Sequence, residues 1–378
     1  SFDCIEVNEE DVDYATDNWT YANGNIDEGV GFSVVCVPEG YTYVQDNNFE
    51  QALIDLGYDD GLNDFVLTEN IGSVTSLNVE NKSISDLTGI DAFTAITYLN
   101  CRYNQLTSLD LSSNTALTAL HCNNNELTSL DVSNNTGLTE LACGNNQLTS
   151  LDVSSNTALT ELYCSNNQLT NLDVSNNTAL TKLNCDTNQL ISLDVSNNTA
   201  LTRLDCYHND LTNLDVTNNV NLTRLNTYGN ALDTLDVSNN VDLTYLTCVG
   251  LQSSNLDVSN NIALSTLNCH TSQLTSLDVS NNTDLTYLNC RANQLDSLDV
   301  SNNTALTDLR CQQNGLTYLN MRNGVTDALT YFQAEDNSLT CIETLDPDYA
   351  TTNWTFANGN IDEGVTFAVD CTPGPPTL

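Results

Sequence analysis

Hydrophobic positions along most of this chain repeat at a fixed interval of 21 residues. The stretch LTSLDVSNNTGLTELACGNNQ at residues 127–147 returns, with few changes, at 148–168 and again at 169–189. Within one unit, two similar halves follow the patterns L-x-x-L-x-C-x-x-N and L-x-x-L-x-V-x-x-N. Each half alternates at its centre, so one side of a strand would carry Leu and Cys or Val while the other side is polar. This period of two predicts two short extended runs in every unit, joined by asparagine-rich turns.

A fixed repeat of this length is typical of a solenoid, in which each unit forms one coil. One unit is too small to bury its own leucine, cysteine and valine side chains, but stacked units share a continuous core. Parallel strands in neighbouring coils lie ~4.8 Å apart. Because both halves of the unit are predicted to be extended, we expect a mainly β, weakly curved solenoid of short parallel strands.

One asparagine recurs in each coil, at the turn that follows the first half of the unit. Its amide is expected to turn inward and bond the backbone of the next coil, which satisfies polar groups that the turn buries. This row comprises Asn104, Asn125, Asn146, Asn167, Asn188, Asn209 and Asn230.

The motif L-x-x-L-x-L-x-x-N-x-L is the signature of leucine-rich repeats, and L-x-x-L-x-C-x-x-N-x-L-x-x-L-D-V is a variant of it. Over residues 41–371 the chain resembles the 21-residue "IRREKO" class of bacterial leucine-rich repeats. It is similar to secreted and surface proteins of marine Bacteroidetes, with a general likeness to internalins. The resemblance implies a right-handed solenoid that acts as an extracellular adhesion or recognition module, with a protein or a glycan as its ligand.

Residues 1–36 and 341–371 are near-duplicates of one cysteine-bracketed module. The first contains DNWTYANGNIDEGVGFSVVC and the second contains TNWTFANGNIDEGVTFAVDC. We expect the disulfides Cys4–Cys36 and Cys341–Cys371, each stabilising the fold by about 3–4 kcal/mol through loop closure. Disulfides form in oxidising compartments, which predicts a secreted or cell-surface protein. The second module follows the last coil directly, so we expect it to cap the end of the core.

The first module is a cap-like unit that precedes the repeats, and two explanations for it are open. In one, the chain is a piece of a longer protein and residues 1–36 close a preceding array. In the other, the module docks head to tail on a neighbouring subunit, which would make the chain a structural subunit or tandem spacer of an extracellular fibre. Residues 372–378 have the proline-rich composition of a linker, which favours the first explanation.

A separate N-terminal cap is expected at residues 41–76, before the solenoid of residues 77–340 and its C-terminal cap at 341–371. Asn47, with Glu50 three residues later, predicts the start of a helix, and Gly57 predicts its end. The apolar residues of this helix that we expect to face the first coil are Phe49, Leu53, Ile54 and Leu56.

The chain is strongly acidic, since 50 Asp and Glu against 8 Lys and Arg give a formal net charge of −42. This balance disfavours nucleic acid as a partner, because phosphate binding needs a basic surface. It also disfavours anionic membrane surfaces. No apolar run approaches the ~20 residues of a membrane-spanning helix, so we expect no direct insertion into a membrane.

Most of the 14 cysteines occupy one inward position of the repeat, where a buried cysteine acts as a small apolar residue. Stacked neighbours ~5 Å apart exceed the ~3.8 Å between Cβ atoms that a disulfide prefers. We therefore expect a reduced packing ladder. Metal or redox chemistry is the alternative, although no C-x-x-C spacing is present. The ladder comprises Cys101, Cys122, Cys143, Cys164, Cys185, Cys206, Cys248, Cys269, Cys290 and Cys311.

The two halves of the repeat differ in how freely they vary between coils. The LDVSNN half is nearly constant, whereas the outward positions of the other half vary and hold all 3 His and most of the cations. Because Tyr and Arg dominate binding hot spots, this surface is predicted to bind a ligand. The alternative is that outward strand positions merely tolerate β-forming and charged residues. The predicted ligand-binding residues are Tyr163, Lys182, Arg203, Tyr207, His208, Arg224, Tyr228, Tyr245, Tyr287 and Arg291.

An aspartate recurs in the constant half, on the opposite face. Carboxylates stacked ~5 Å apart repel by about 0.8 kcal/mol per pair in water, so the row needs hydrogen-bond donors. We expect neighbouring Ser and Thr hydroxyls and turn amides to supply them, and no cofactor. Calcium is the alternative, because Ca²⁺ binds carboxylate oxygens. The row comprises Asp110, Asp131, Asp152, Asp173, Asp194, Asp215, Asp236, Asp257, Asp278 and Asp299.

No catalytic signature accompanies the repeat. The patterns G-x-S-x-G, H-E-x-x-H and the P-loop are missing from the sequence. The face of a solenoid also offers no deep pocket that excludes water. We therefore expect a binding protein and not an enzyme.

Overall fold

The structure, a computed structural model, describes residues 4–372 except 25, 27, 29 and 34. One parallel sheet of 13 strands runs along the molecule, with one strand from each coil. Neighbouring strands pair in register, so that Leu183 lies between Leu162 and Leu204. In order, the strands are Ser76–Asn78, Tyr98–Asn100, Ala119–His121, Glu140–Ala142, Glu161–Tyr163, Lys182–Asn184, Arg203–Asp205, Arg224–Asn226, Tyr245–Thr247, Thr266–Asn268, Tyr287–Asn289, Asp308–Arg310 and Tyr331–Gln333. The predicted parallel solenoid is confirmed.

The strand and the turn after it follow from the alternation in the first half of the repeat. The central leucine, such as Leu204, is fully buried, and Cys206 two residues later is buried beside it. His208 then adopts a positive φ of 50°, as the equivalent residue does in most coils. Asn tolerates this left-handed conformation better than most residues. This explains why Asn124 and Asn145 hold the same position.

The second half of the repeat is less regular than predicted. It forms a parallel sheet only at the C-terminal end, from Ser297–Asp299, Tyr318–Met321, Cys341–Thr344 and Thr366–Ala368. In the coils between residues 101 and 296, all described, the Leu and Val of this half are buried, apart from the half-buried Leu109, but they form no strand. The expectation of two strands in every coil is therefore wrong.

The second sheet begins where the aspartate row ends. In the regular coils two aspartates lie opposite each other, and like charges that face across strands disfavour pairing. At the C-terminal end Asn320 stands in place of aspartate, and its amide donates to Asp299 at 3.1 Å. Pairing between coils therefore starts where the like charge ends.

The predicted asparagine row is buried and bonds the backbone, but toward the preceding coil instead of the next one. Asn125 Nδ2 donates to the carbonyl oxygens of Cys101 at 3.1 Å and Cys122 at 3.0 Å. Its Oδ1 accepts the amide of Leu106 at 3.0 Å. Each side chain therefore ties its own turn to the coil before it.

A second asparagine row lies in the constant half and was missed by the sequence analysis. Asn135 is fully buried, and its Nδ2 donates to the carbonyl oxygens of Leu111 and Asn114 in the preceding coil. Its Oδ1 has no partner among the described residues. The row comprises Asn114, Asn135, Asn156, Asn177, Asn198, Asn219, Asn240, Asn261, Asn282 and Asn303. Its members explain why the LDVSNN half hardly varies.

The N-terminal region contains the helix Asn47–Asp55, the antiparallel strands Tyr41–Tyr43 and Phe65–Leu67, and the short helix Thr68–Ile71. The residue that caps the first helix is Asp46, whose carboxylate accepts the amides of the first turn. The helix therefore begins at Asn47 as predicted, but the capping residue is Asp46 and not Asn47.

Other predictions for this helix are settled by hydrogen bonds and burial. The carboxylate of Glu50 accepts the amide of Asn63 and makes no capping box. Gly57 does follow the helix, with a positive φ of 80°. The buried residues include Phe49 and Leu53, whereas Ile54 is half-buried and Leu56 is 44% exposed. Only the first two therefore belong to the core.

The two end modules contain the same elements. The first has the strand Cys4–Glu6, the helix Val12–Asn18 and the strand Gly31–Ser33, and the second repeats them at Cys341–Thr344, Pro347–Asn353 and Thr366–Ala368. Both predicted disulfides, Cys4–Cys36 and Cys341–Cys371, are confirmed, with Cα atoms 5.7 and 5.8 Å apart. The 3-10 helices of the chain are Glu9–Asp11, Tyr21–Asn23, Ile90–Ala92 and Phe356–Asn358. The predicted linker lies outside the described residues, apart from Thr372.

The ten ladder cysteines are buried and form no disulfide. Burial raises the pKa of Cys206 to about 12 and raises the pKa of its neighbours as well. Because the thiolate is the reactive form, we expect a thiol reagent to leave the ladder unmodified in the native chain at mildly alkaline pH. Full labelling is expected only in denaturant, which a colorimetric thiol assay measures. Rapid labelling of the native ladder would contradict this prediction.

Candidate functional site

The ten predicted binding residues lie on one side of the solenoid, in two parallel zones. Six stand on strands of the main sheet: Tyr163, Lys182, Arg203, Arg224, Tyr245 and Tyr287. The other four, Tyr207, His208, Tyr228 and Arg291, lie in the turns that directly follow those strands. Tyr207 lies two residues after the strand Arg203–Asp205, so the two zones adjoin. We call this surface the variable face.

The centre of the variable face is a carboxylate held between two arginines. Asp205 is 1% exposed, although the alternation placed it outward. Its carboxylate accepts from Nε of Arg203 on the same strand and from Nε of Arg224 on the next strand, at 3.0 Å in the latter case. The guanidinium of Arg224 also lies 3.9 Å from the centre of the Tyr245 ring, within the range of a cation–π contact. Two of the predicted binding cations therefore share one carboxylate and are fixed in place.

A second ion pair lies one coil away. Lys182 Nζ is 2.8 Å from Glu161, whose carboxylate also accepts the hydroxyl of Tyr163. The bond from Lys182, reinforced by that hydroxyl, lowers the pKa of Glu161. Burial and the bond to Glu161 raise the pKa of Tyr163, so its phenol stays protonated.

Aromatic rings form a continuous row along the turns. The ring centres of Tyr207 and His208 are 5.6 Å apart, those of His208 and Tyr228 are 4.8 Å apart, and those of Tyr228 and His270 are 6.2 Å apart. Gly229 allows this packing, because a Cβ atom there would lie 2.5 Å from Nδ1 of His208. The structure thus brings three predicted binding residues together and adds His270 to them.

The remaining predicted residues lie further along the sheet. Tyr287 is 5.4 Å from the guanidinium carbon of Arg310, which is also 4.2 Å from the ring of Tyr331. Arg310 is itself bonded to Asp308 at 2.9 Å. Arg291 is exposed and has no ion-pair partner among the described residues. This end forms a separate cluster that the sequence analysis only partly named.

The opposite side carries the aspartate row, whose donors are as expected. Each carboxylate accepts the amide two residues on, as Asp131 does from Ser133 at 2.9 Å. Bonds from the hydroxyl and amide of Ser133 lower the pKa of Asp131. Among the described residues no three His, Cys, Asp or Glu side chains converge on a metal-sized site. Calcium along the row stays the untested alternative to these donors, and melting with and without a chelator tests it.

No described helix has the length and apolar character needed to cross a membrane.

Comparisons with known proteins agree with this architecture. No family model matches the sequence. A segment of 51 residues is 47% identical to internalin J of Listeria monocytogenes serotype 4b, but it spans only 6% of that protein. The structure superimposes on the functional domain of InlJ from Listeria monocytogenes, described as including a cysteine ladder, with a TM-score of 0.72 and 34% identity over 85% of this chain and 81% of that one.

More distant structures share the fold alone. The internalin InlF from Listeria monocytogenes matches with a TM-score of 0.61 and 22% identity, over 79% of this chain and 91% of that one. The plant peptide hormone receptor RGFR1, solved in complex with RGF2, matches with a TM-score of 0.61 and 21% identity, over 72% and 49%. The parallel coils, the buried cysteine ladder and the extent of the InlJ match together show that the chain belongs to the internalin-like leucine-rich-repeat proteins.

Proposed function

We propose that the chain is an extracellular binding module whose variable face recognises a protein ligand. The observation that supports this most is the aromatic row Tyr207, His208, Tyr228 and His270 on an otherwise polar surface. Aromatic side chains give a large contact area at low cost in conformational entropy, and exposed clusters of them are typical of binding hot spots. The two disulfides favour an oxidising, extracellular location.

Charge suggests the kind of protein that would fit. In the part of the variable face that runs from the strand Glu161–Tyr163 to the strand Tyr245–Thr247, three cations are matched by three carboxylates. The cations are Lys182, Arg203 and Arg224, and the carboxylates are Glu161 and the almost fully buried Asp186 and Asp205. This region of balanced charge lies in a molecule whose formal net charge is −42. A ligand with an apolar or aromatic centre and a basic rim would complement both regions. Its association should slow as salt screens the rim.

The test begins with a display library of extracellular proteins and a glycan array, both screened with the purified chain. Protein hits are then retested with the variant Tyr207→Ala/Tyr228→Ala, which removes the centre of the aromatic row and leaves the ion-paired side chains of Lys182, Arg203 and Arg224 in place. We expect the affinity to fall about tenfold or more, as the loss of hot-spot aromatics does elsewhere. Surface plasmon resonance gives the affinities.

The matched control is Val220→Thr/Val241→Thr. These two exposed valines lie in the turns of the constant half, and most other coils carry threonine there. The control variant should bind like the parent chain. Protein hits that bind the tyrosine variant as tightly as the parent chain would contradict the proposal. Binding that is confined to glycans would contradict it as well.

A further inference from the structure

The first end module has a surface that its duplicate uses for docking. In the second module, Tyr349, Trp354 and Phe367 form an aromatic cluster, with ring centres 6.2 and 5.9 Å from that of Trp354. A fourth ring, Phe332 of the last coil, packs 4.5 Å from Trp354, which is only 5% exposed. The cluster therefore helps the second module to cover the end of the array, together with the pairing of the strand Cys341–Thr344 to Tyr318–Met321.

The first module has the same three rings without the fourth. Tyr14 and Phe32 lie 6.2 and 5.6 Å from Trp19, close to the distances in the second module. Trp19 is nevertheless 42% exposed. Ile5 is likewise only half-buried, whereas its counterpart Ile342 is fully buried. The surface that covers a coil in one module is open in the other.

A carboxylate beside the rings shows the same contrast. Glu343 is 4% exposed and binds Arg322 at 3.1 Å, and it also accepts the hydroxyl of Tyr318 at 3.1 Å. Its counterpart in the first module is Glu6, which accepts the amide of Cys36 just as Glu343 accepts that of Cys371. Glu6 is exposed and has no cation bound among the described residues.

The first module is also independent of the array that follows it. The hydrogen bonds of its described residues stay within the module. The continuous apolar core runs from Val44 through the coils to the second module, but the buried Ala15 of the first module lies outside it. The array of this chain already has a cover at its C-terminal end. The exposed surface of the first module therefore requires the terminal coil of a different array as its binding partner.

We propose that residues 4–36 are a second cap, and that Trp19 and Glu6 dock on the terminal coil of another leucine-rich-repeat array. The chemistry of that coil follows from the second module. It would present an aromatic ring to Trp19, as Phe332 does to Trp354, and a basic side chain to Glu6, as Arg322 does to Glu343. Head-to-tail joining of unaltered copies is disfavoured, because the second module would first have to leave the coil it covers.

A graft within the full chain tests the proposal. Residues 341–371 are replaced by residues 4–36, and the N-terminal Trp19 is changed to Phe so that the grafted tryptophan is the sole one. The reference is the full chain with Trp354→Phe, in which the same tryptophan stays in the first module. We expect iodide quenching to be roughly eightfold weaker in the graft, following the ratio of the 42% and 5% exposures.

Equal quenching in the two chains would overturn the proposal. The proposal would also be overturned if the array of the graft had a melting temperature as low as that of the full chain with Trp354→Ala, because a cap must stabilise the coil that it covers. An independent measurement uses the variant Trp354→Arg, which should dissociate the second module from the last coil. The first module of another copy could then bind to that coil. Sedimentation should then show association that Trp19→Arg abolishes, and association that survives Trp19→Arg would count against the proposal.

Discussion

Replacing Asn177 by alanine is expected to lower the free energy of unfolding by about 1–3 kcal/mol, since it removes two buried hydrogen bonds that contribute about 0.5–1.5 kcal/mol each. Asn177 is fully buried, and its Nδ2 donates to the carbonyl oxygens of Val153 at 3.0 Å and Asn156 at 2.8 Å. Alanine would leave both carbonyls without that donor in a dry interior. Guanidinium unfolding followed by circular dichroism measures the change.

The neighbouring Asn176 provides the control. It is exposed, and its one bond to the preceding coil, to Ser154, is long at 3.4 Å. Asn176→Ala should change the unfolding free energy by less than about 0.5 kcal/mol, as surface substitutions usually do. Equal losses for the two variants would show that the buried row does not hold the coils together.

Replacing Trp354 by alanine is expected to destabilise the C-terminal end of the array by about 3–5 kcal/mol, the usual cost of removing a buried aromatic side chain. The side chain packs on Phe332, so its loss uncovers the last coil. Because a solenoid is stabilised mainly by contacts between neighbours, fraying should begin at that end. Thermal melting and hydrogen exchange of the strand Tyr331–Gln333 measure the effect.

The duplicated module supplies an internal control for this substitution. Trp19→Ala makes the same change in the first module, whose buried residue Ala15 lies outside the continuous core. The melting of the array should therefore stay as in the parent chain. A loss of array stability from Trp19→Ala equal to that from Trp354→Ala would contradict the independence of the first module.

The fold could be predicted because one physical constraint acts many times along the chain. Each coil must bury the same leucines against its neighbours, so the period alone gives the parallel register. A second strand was wrongly predicted in the constant half because the prediction used only the alternation of apolar and polar residues. Whether the constant half forms paired strands also depends on which side chain of the next coil faces it. Asp299 faces Asn320, whereas in the regular coils two aspartates face each other, and this difference is visible only when the coils are stacked.

The variable face could be predicted in outline, because alternation decides which residues leave the core. Its chemistry could not, since contacts between residues about 21 positions apart depend on side-chain conformation. The alternation of the strand places Asp205 on the outward face, but the two arginines beside it bury its carboxylate. The missed row around Asn135 had a signal in the sequence, namely the constancy of the LDVSNN half.

The distance between two spin labels tests the in-register stack most directly. Labels at Glu140→Cys and Tyr245→Cys stand at equivalent positions five strand pairings apart. The native ladder cysteines are buried and should not be labelled. The account predicts one narrow distribution near ~24 Å, because each pairing adds ~4.8 Å. A broad distribution, or a mean near the ~50 Å that helix-like spacing of ~10 Å per coil would give, would contradict it.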